Sequence, residues 1–249
     1  MLFKLVIFIL VFSTTGSQAA ERKELLFSSE VGNHFQSFCL SYFKAYNSVA
    51  GKLKIKALDI NLARAYKFLI NETVDGNCAR VKGFSKLTKE TRDNVIELSP
   101  SLLEVRFLIL AKNKVVADKL KKNLSNTDIV IGMPAGARFF ERFFRDAKTY
   151  QIGDTDIGIN MLAAGRLDAV IAIPSVKLFK KLNEMSAFQL LQHPKLRFEI
   201  VSIINKKNLK NKKELERVIG IIKRKGLISK ALQQEKIRKL VIEYKKRAP

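Results

Sequence analysis

The sequence MLAAGRLDAV, residues 161–170, joins an amphipathic helix to a buried strand through a glycine turn. Asp154 or Thr155 can cap the start of this helix, because short polar side chains there accept hydrogen bonds from unpaired backbone N–H groups. Gly165 ends the helix, since glycine readily takes the left-handed conformation of a C-terminal cap. The apolar run 169–173 has the length and composition of a buried strand. Such a helix–turn–strand unit is typical of α/β proteins.

The alternation of strands and helices extends over most of the chain. Apolar or alternating runs predict strands over residues 24–29, 52–58, 77–81, 95–98, 105–110, 129–131 and 198–204. Apolar positions at a 3.6-residue spacing predict helices over residues 34–49, 62–69, 213–225 and 228–246. We predict an α/β fold of two lobes, each a mostly parallel sheet flanked by helices. The second lobe is inserted into the first, and crossover segments near 106–112 and 197–203 are the expected hinges.

The N-terminal residues have the composition of a secretory signal peptide. Lys4 precedes the apolar run 5–12, small and polar residues follow, and Ser17-Gln18-Ala19 fits a small-x-small cleavage site. The apolar run is too short to cross a bilayer, which needs about 20 apolar residues. We therefore expect residues 1–19 to be removed and the chain to be exported to the periplasm. An uncleaved anchor is the alternative.

The composition limits the chemistry that the chain can carry. An apolar fraction of 47% supports a sizeable core, and 46 Lys and Arg against 23 Asp and Glu give a net charge of +23. This charge favours anionic partners or surfaces. Two Cys and two His are too few for a zinc cluster, and the motifs of phosphate loops and common hydrolases are absent from the sequence. We predict no metal, no cofactor and no catalytic residue.

The two cysteines leave two interpretations open. Cys39 and Cys78 can form a disulfide, because an exported chain folds in an oxidising compartment. Alternatively, both are buried thiols, since Cys39 lies in a helical apolar pattern and Cys78 in a short predicted strand.

Two further patterns favour a structural interpretation. Phe139, Phe140, Phe143 and Phe144 have helical spacing, which favours core packing over an aromatic cage. Residues 205–249 contain 16 Lys and Arg against 4 Asp and Glu, but these cations lie around apolar stripes and are not grouped with aromatics. We predict a solvated basic surface that binds no nucleic acid. Peripheral contact with a membrane stays open.

The predicted strands end on residues that can bind a ligand. In open α/β sheets, ligands lie beyond the carboxyl ends of the strands. The candidates there are Ser28, Ser29, Asp59, Arg80, Gly136, Ala137, Arg138 and Thr155. Arg80 offers a planar fork of donors that suits a carboxylate or phosphate, and a structural salt bridge is its alternative role. The N–H groups of 136–138 can hold an anion at a helix start, unless this loop is only a tight turn for packing.

The other candidates also have structural alternatives. Asp59 and Asn61 can both cap the following helix, and for Asp59 this role is favoured over binding a ligand cation or hydroxyl. Thr155 is expected to cap its helix first and to contact ligand second. Ser28 and Ser29 can equally satisfy backbone groups at the strand end. Asp168 is expected to brace the neighbouring glycine turn rather than to face a ligand.

Four stretches in chain order resemble the type II periplasmic solute-binding proteins, the family-3 extracellular receptors that include amino-acid binders of ABC transporters. They are residues 63–81, 131–136, 161–170 and 215–231. The most specific is MLAAGRLDAV, which is close to the family's pattern mLxaGRlDAvi. They occur in the right order and are spread over residues 63–231 of the chain.

The resemblance implies an exported protein that closes two lobes by hinge bending on a small polar ligand, an amino acid or another small acid. It implies delivery of that ligand to an ABC permease, without chemistry. We expect a monomer, with residues 20–108 and 199–249 in lobe 1 and residues 109–198 in lobe 2. Two alternatives stay open. One is an enzyme like the periplasmic cyclohexadienyl dehydratases, with Asp59 as catalytic acid, and the other is a sensory or orphan module that contacts a receptor.

Two positions depart from the pattern of the family's amino-acid receptors. Those receptors often carry a carboxylate after the strand that follows the G-R-x-D turn, where this chain has Pro174. Their carboxylate-binding Arg follows a Thr, a pattern that Arg92 matches loosely. Arg80, at the strand end itself, is the better candidate.

Overall fold

The computed structural model contains alternating strands and helices and describes residues 23–29, 35–135, 137–185, 188–231 and 234–247. The strands are β1 Lys23–Ser28, β2 Leu53–Leu58, β3 Gly76–Val81, β4 Val95–Glu97, β5 Leu103–Ala111, β6 Val130–Pro134, β7 Lys148–Ile152, β8 Ala169–Ala172 and β9 Gln189–Asn205. The α-helices are α1 Phe35–Val49, α2 Leu62–Ile70, α3 Lys89–Asn94, α4 Lys114–Lys122, α5 Thr155–Ala163, α6 Val176–Glu184, α7 Lys212–Arg224, α8 Leu227–Ala231 and α9 Gln234–Arg247. Short 3-10 helices cover Phe84–Lys86, Arg138–Phe143 and Lys206–Asn211.

The strands form one curled sheet in the order β2-β1-β3-β9-β5-β8-β6-β7, and β4 also pairs with β9. β1 pairs in parallel with β2 and β3, and β6 pairs in parallel with β7 and β8. β9 and β5 lie between these parallel groups and run antiparallel to their neighbours. The predicted α/β fold, with two mostly parallel halves and two crossover strands, is confirmed. In the described residues, no helix is long and apolar enough to cross a membrane.

Two long strands, β5 and β9, run through both halves of the sheet. Residues 103–106 of β5 pair with residues 197–200 of β9, and residues 108–111 pair with residues 189–192. The register shifts between these two segments, at Phe107. The chain therefore crosses between the two halves on β5 and β9, and the pairing of these two strands is interrupted at Phe107. The residue boundaries of the two lobes stay a prediction.

Helix α1 packs its apolar face on the first half of the sheet. Its buried residues recur at spacings of three and four, which explains why this stretch is helical: Phe38, Cys39, Tyr42, Phe43 and Tyr46. A disulfide joins Cys39 to Cys78 of β3, with the two Cα atoms 5.6 Å apart. The structure therefore contains the disulfide rather than two separate buried thiols.

The phenylalanines of the segment after β6 belong to the core, as their spacing predicts. Phe140 and Phe144 are buried, and Phe139 and Phe143 pack against the same core. The Phe140 ring meets the Phe107 ring edge-on, with the centroids 4.8 Å apart. This contact packs the segment against Phe107, the residue of β5 at which the pairing with β9 is interrupted. The segment is a 3-10 helix, not the α-helix that we predicted.

Several elements were not predicted from the sequence. Helices α4 and α6 lie in stretches where lysines and other polar residues hide a short apolar pattern, as in VKLFKKLNE of α6. Helix α3, KETRDN, has no apolar residue, and in strand β7 only Ile152 is buried, so neither has an apolar pattern that would predict it. Strand β9 begins at Gln189, nine residues before the predicted start at Phe198. Its first half could not be predicted, because it is mostly half-buried and lacks the long apolar run of residues 200–204. In the C-terminal part, α7 ends at Arg224 and α8 begins at Leu227, which confirms the break predicted at Gly226, and residues 232–233, between α8 and α9, lie outside the described residues.

Asp168 connects the start of β8 to the strands on both sides. Its Oδ2 accepts a hydrogen bond of 2.8 Å from the N–H of Val130 in β6, and its carboxylate forms an ion pair with Lys112 at the end of β5. Gly165, just before it, has a left-handed φ of 71°. Burial opposes ionisation of the carboxyl group, but the hydrogen bonds from Lys112 and Val130 outweigh it and lower the pKa of Asp168. Asp168 is therefore structural, as predicted, although its partners are the neighbouring strands.

Replacing Gly76 should destabilise the sheet. A Cβ atom there would lie 2.5 Å from Cζ of Phe27 and 2.7 Å from the backbone oxygen of Ile203. We expect Gly76→Ala to lower the free energy of unfolding by about 1–3 kcal/mol, because the backbone must move to relieve the overlap. Urea denaturation would measure the change. Gly51→Ala is the control, since nothing lies within 4 Å of its added carbon. Equal effects of the two variants would contradict this close packing.

Replacing Asp168 should make stability less sensitive to acid. At pH 7 we expect Asp168→Asn to lower the free energy of unfolding by about 1 kcal/mol. Because folding lowers the pKa of this carboxyl, its stabilisation is present above the unfolded value of about 3.9 and is lost as the pH falls through the folded value. Urea denaturation of wild type and variant at pH 7 and below pH 4 should therefore show a shrinking difference. Asp118→Asn, which removes an exposed pair with Lys121, is the control. A gap that is constant with pH would refute this role.

Candidate functional site

The carboxyl ends of β1 and β2 meet polar groups of β3 at one edge of the sheet. Ser28 of β1 lies opposite Leu58 of β2 and opposite Asn77 of β3. Because these strands are parallel, the residues that follow β1 and β2 leave the sheet side by side. This arrangement brings together Ser28, Ser29, Asp59 and Asn77, which we call the β1–β3 cluster.

Hydrogen bonds hold the β1–β3 cluster together. Asn77 Nδ2 donates to Ser28 Oγ at 2.6 Å, and Asn77 Oδ1 accepts from the N–H of Ala79 at 3.0 Å. Ser29 Oγ donates to the carboxylate of Asp59. Ser28, Ser29 and Asn77 are fully buried. A buried polar group is stable only when it is hydrogen-bonded, so the cluster holds its donors and acceptors in fixed positions.

The predicted role of Asp59 as a helix cap is wrong. The cap of α2 is Asn61, whose Oδ1 accepts from the N–H of Arg64 at 2.9 Å. Asp59 lies two residues earlier, between the end of β2 and the cap, where its carboxylate reaches Ser29 instead. It is exposed. The structure therefore leaves Asp59 at the surface of the β1–β3 cluster, where it can meet a solute.

Arg80 lies on β3, three residues beyond Asn77 and therefore about 10 Å farther along the strand. It is 8% exposed, and its contacts include the backbone oxygen of Ala79 at 3.2 Å and the ring of Phe84, 5.3 Å from the guanidinium carbon. Tyr66 meets the Phe84 ring edge-on. Burial lowers the pKa of Arg80 to about 9, so the group stays cationic at neutral pH. A desolvated cation gains from an anion placed beside it.

The residues predicted on the second half of the sheet are only partly described. Gly136 and the side chain of Arg138 lie outside the described residues. Ala137 is buried, and its N–H donates to the oxygen of Pro134 at 3.1 Å. Thr155 is buried and begins α5, but the cap is Asp154, so the expected capping role of Thr155 is wrong. Among the described residues, no hydrogen bond joins this group to the β1–β3 cluster, and its part in ligand binding stays a prediction.

Arg92 and the segment after β8 have structural surroundings. Arg92 is exposed on α3. Helix α3 begins with a capping box in which Thr88 and Thr91 bond each other's backbone. Ser175, beside Pro174, caps α6 by accepting from the N–H of Leu178 at 3.1 Å. Within the described ranges, no group of three or more His, Cys, Asp or Glu can hold a metal ion.

Sequence comparison finds no relative of the chain. No protein-family model matches it, and no curated protein does. Solved structures match it over most of its length. An ancestral amino acid-binding protein, described as a precursor of cyclohexadienyl dehydratase, matches with a TM-score of 0.65 at 16% identity, over 86% of this chain and 95% of that one.

A substrate-binding protein of an amino acid ABC transporter from Streptococcus pneumoniae, solved with L-arginine, has a TM-score of 0.62 at 17% identity. The match covers 85% of this chain and 92% of that one. The chain has the type II solute-binding fold. At these identities the likeness establishes the architecture, and it confirms the fold that the four sequence stretches predict.

A longer protein also contains this type II fold. The periplasmic domain of BvgS from B. pertussis matches with a TM-score of 0.59 at 12% identity. The match covers 82% of this chain but 42% of that one. The same architecture therefore occurs as a part of larger chains.

Removing the amide of Asn77 should destabilise the β1–β3 cluster. We expect Asn77→Ala to lower the free energy of unfolding by about 2–3 kcal/mol, because the buried Ser28 hydroxyl and Ala79 N–H lose a partner that water cannot replace. Asn123→Ala is a matched control. Asn123 also donates one hydrogen bond and accepts one, both with Ser125, but it is exposed. Urea denaturation of both variants would measure the two losses, and equal losses would contradict the buried role of Asn77.

Proposed function

We propose that this protein is an exported solute-binding protein that captures a small polar ligand between its two lobes. The observation that carries this proposal is the place in a type II solute-binding fold where the polar residues at the carboxyl ends of β1 and β2 meet Asn77 and Arg80 of β3. Ligands of open α/β sheets bind at such edges. The buried hydrogen bonds orient the polar groups before the ligand arrives, which reduces the entropy lost on binding.

The ligand that suits these groups is a small acid, including an amino acid. Arg80 can hold a carboxylate with two parallel N–H donors. Asp59 can accept from a hydroxyl or ammonium group of the same molecule. Ser29 already donates a hydrogen bond to the carboxylate of Asp59. This bond holds the carboxylate in one orientation for a ligand that approaches it. The L-arginine bound to the Streptococcus pneumoniae protein is a ligand of this general kind.

Capture requires the two lobes to move, and β5 and β9 are the proposed hinge. Their pairing is interrupted at Phe107, so fewer ladder hydrogen bonds resist bending there than in the paired segments on either side. Bending at this level would bring lobe 2, residues 109–198, with Gly136, Ala137, Arg138 and Thr155, towards the β1–β3 cluster. Closure would then remove water from the ligand and strengthen its polar contacts.

Export and delivery complete the proposal. The Cys39–Cys78 disulfide supports folding in an oxidising compartment, in agreement with the expected signal peptide and periplasmic location. A monomer that closes on its ligand presents a different surface from the open form, and an ABC permease would recognise the closed form. The ancestral protein and the Streptococcus pneumoniae protein are both named as binding proteins, which favours ligand capture over the dehydratase alternative.

A sensory role is the second candidate, because the BvgS periplasmic domain has the same fold within a longer chain. In that case the closed form would contact a receptor rather than a permease. The gene neighbourhood separates the two roles. Adjacent permease and ATPase genes would support uptake, and their absence would support the sensory role.

The decisive experiment identifies the ligand. The protein is purified from the cell envelope without denaturation, and any bound small molecule is identified by native mass spectrometry. In parallel, thermal unfolding is recorded with each of the common L-amino acids and with mono- and dicarboxylic acids. We expect a small acid to co-purify or to raise the melting temperature. No bound molecule and no shift with any compound would contradict the proposal.

Arg80 should carry more of the ligand affinity than Arg92. With the acid that raises the melting temperature most, we expect Arg80→Met to weaken binding on the order of 100-fold, because a buried charge pair loses one partner. Arg92→Met removes an exposed charge of the same sign and should change the dissociation constant less than about threefold. Isothermal titration calorimetry measures both variants, and circular dichroism confirms that they fold. Unchanged affinity in Arg80→Met would remove Arg80 from the site.

A further inference from the structure

The C-terminal helix α9 is held against the second half of the sheet by one face. Val241 and Tyr244 are buried there with residues of α6. Tyr244 Oη donates to the backbone oxygen of Phe188 at 3.1 Å, and Lys245 Nζ donates to Gln192 Oε1 at 2.9 Å. These contacts fix the rotation of the helix about its axis. They therefore also fix which of its residues face solvent.

The exposed surface of α9, which Lys245 borders, is basic around one exposed apolar residue. Ile242 is 55% exposed. Arg238 and Lys239 lie four and three residues before it, and Lys245 and Lys246 lie three and four residues after it. Residues at these spacings are neighbours on a helix surface, so four exposed cations surround one exposed isoleucine. We call Arg238, Lys239, Ile242, Lys245 and Lys246 the α9 basic face.

The α9 basic face has more cations than α9 has carboxylates. Among the side chains that the structure describes, no carboxylate forms an ion pair with Arg238, Lys239 or Lys246, whereas Arg217 of α7 pairs with Glu214 of its own helix. Glu235 also lies on α9, three and four residues before Arg238 and Lys239, and its side chain is outside the described residues. Glu243 is exposed on α9, next to Ile242. Lys180 of the neighbouring helix α6 is also exposed and adds to the positive potential. The face therefore combines concentrated positive charge with an apolar group that folding leaves outside the core.

We propose that the α9 basic face binds the surface of a bilayer that contains anionic lipids. Lysine and arginine near such a surface are each attracted by the negative potential, and the attraction falls off within a Debye length. Ile242 lies among the cations, where it can enter the headgroup region as they contact phosphates. Single-stranded nucleic acid would instead favour aromatic side chains for stacking, and the α9 basic face has none. This inference does not depend on the ligand or on closure of the lobes.

Vesicle sedimentation tests the proposal. The chain starting at Ala20 contains every described residue and lacks the apolar N-terminal run, which would itself enter lipid. It is mixed with vesicles of phosphatidylcholine alone or with 30% phosphatidylglycerol, at about 50 and 150 mM salt. We expect binding to the anionic vesicles, weaker binding at the higher salt, and no binding to the neutral vesicles. Failure to bind anionic vesicles at either salt would overturn the proposal.

Two triple variants distinguish binding by the α9 basic face from attraction by the net positive charge of the whole protein. Replacing Arg238, Lys239 and Lys246 by Gln should weaken vesicle binding on the order of 100-fold, since each cation near the surface contributes about fivefold. The control replaces three exposed lysines, one in α1, one just before β2 and one in β2, by Gln, which removes the same charge at a distant place: Lys44, Lys52 and Lys56. Equal losses in the two variants would show attraction by net charge alone and would overturn the proposal.

The apolar residue has its own control. Ile242→Ser should weaken binding to anionic vesicles by roughly tenfold, because less apolar surface enters the lipid. Leu209→Ser changes a residue that is 58% exposed in the 3-10 helix Lys206–Asn211 and should have no effect. Equal effects, or none in Ile242→Ser, would overturn the role of Ile242. Urea denaturation confirms that all variants are as stable as the wild type.

Discussion

The antiparallel pairing of β5 with β9 holds the two halves of the sheet together. Each of these strands belongs to both halves, so the place of one half is tied to that of the other. Strands β3 and β4 pair with residues 200–205 of β9, and β8 pairs with β5. The parallel strands that carry the candidate ligand residues therefore take their places from these two strands.

The candidate site depends on a second constraint, the register of the parallel strands. Ser28 pairs with both Leu58 and Asn77, so the end of β1 meets the end of β2 but the start of β3. This stagger places the amide of Asn77 beside the serines and places Arg80 beyond the last residue of β1. The buried hydrogen bonds then stabilise an arrangement that backbone pairing has already set.

Much of this architecture could be predicted from local sequence patterns. Strands β1, β2 and β3 and helices α1 and α2 have clear periodicities, and the grouping of Ser28, Ser29 and Asp59 follows from parallel pairing alone. The involvement of Asn77 could not be predicted in this way. Asn77 comes directly after the turn signal Asp75-Gly76, at the amino end of its strand, and only the stagger of β3 against β1 brings it to Ser28. Asp59 and Asn61 are equally suitable caps of α2 by residue type, and only the geometry of the chain after β2 selects Asn61.

The path of the C-terminal chain has a mechanical consequence. Helix α8 packs on α1, beside the first half of the sheet, whereas α9 packs on α6, beside the second. The chain thus passes between the halves a third time, through residues 232–233, which lie outside the described residues. In the lobe closure that we propose, this third connection would resist twisting of one half against the other more than bending. The open and closed forms would then differ mainly by one angle.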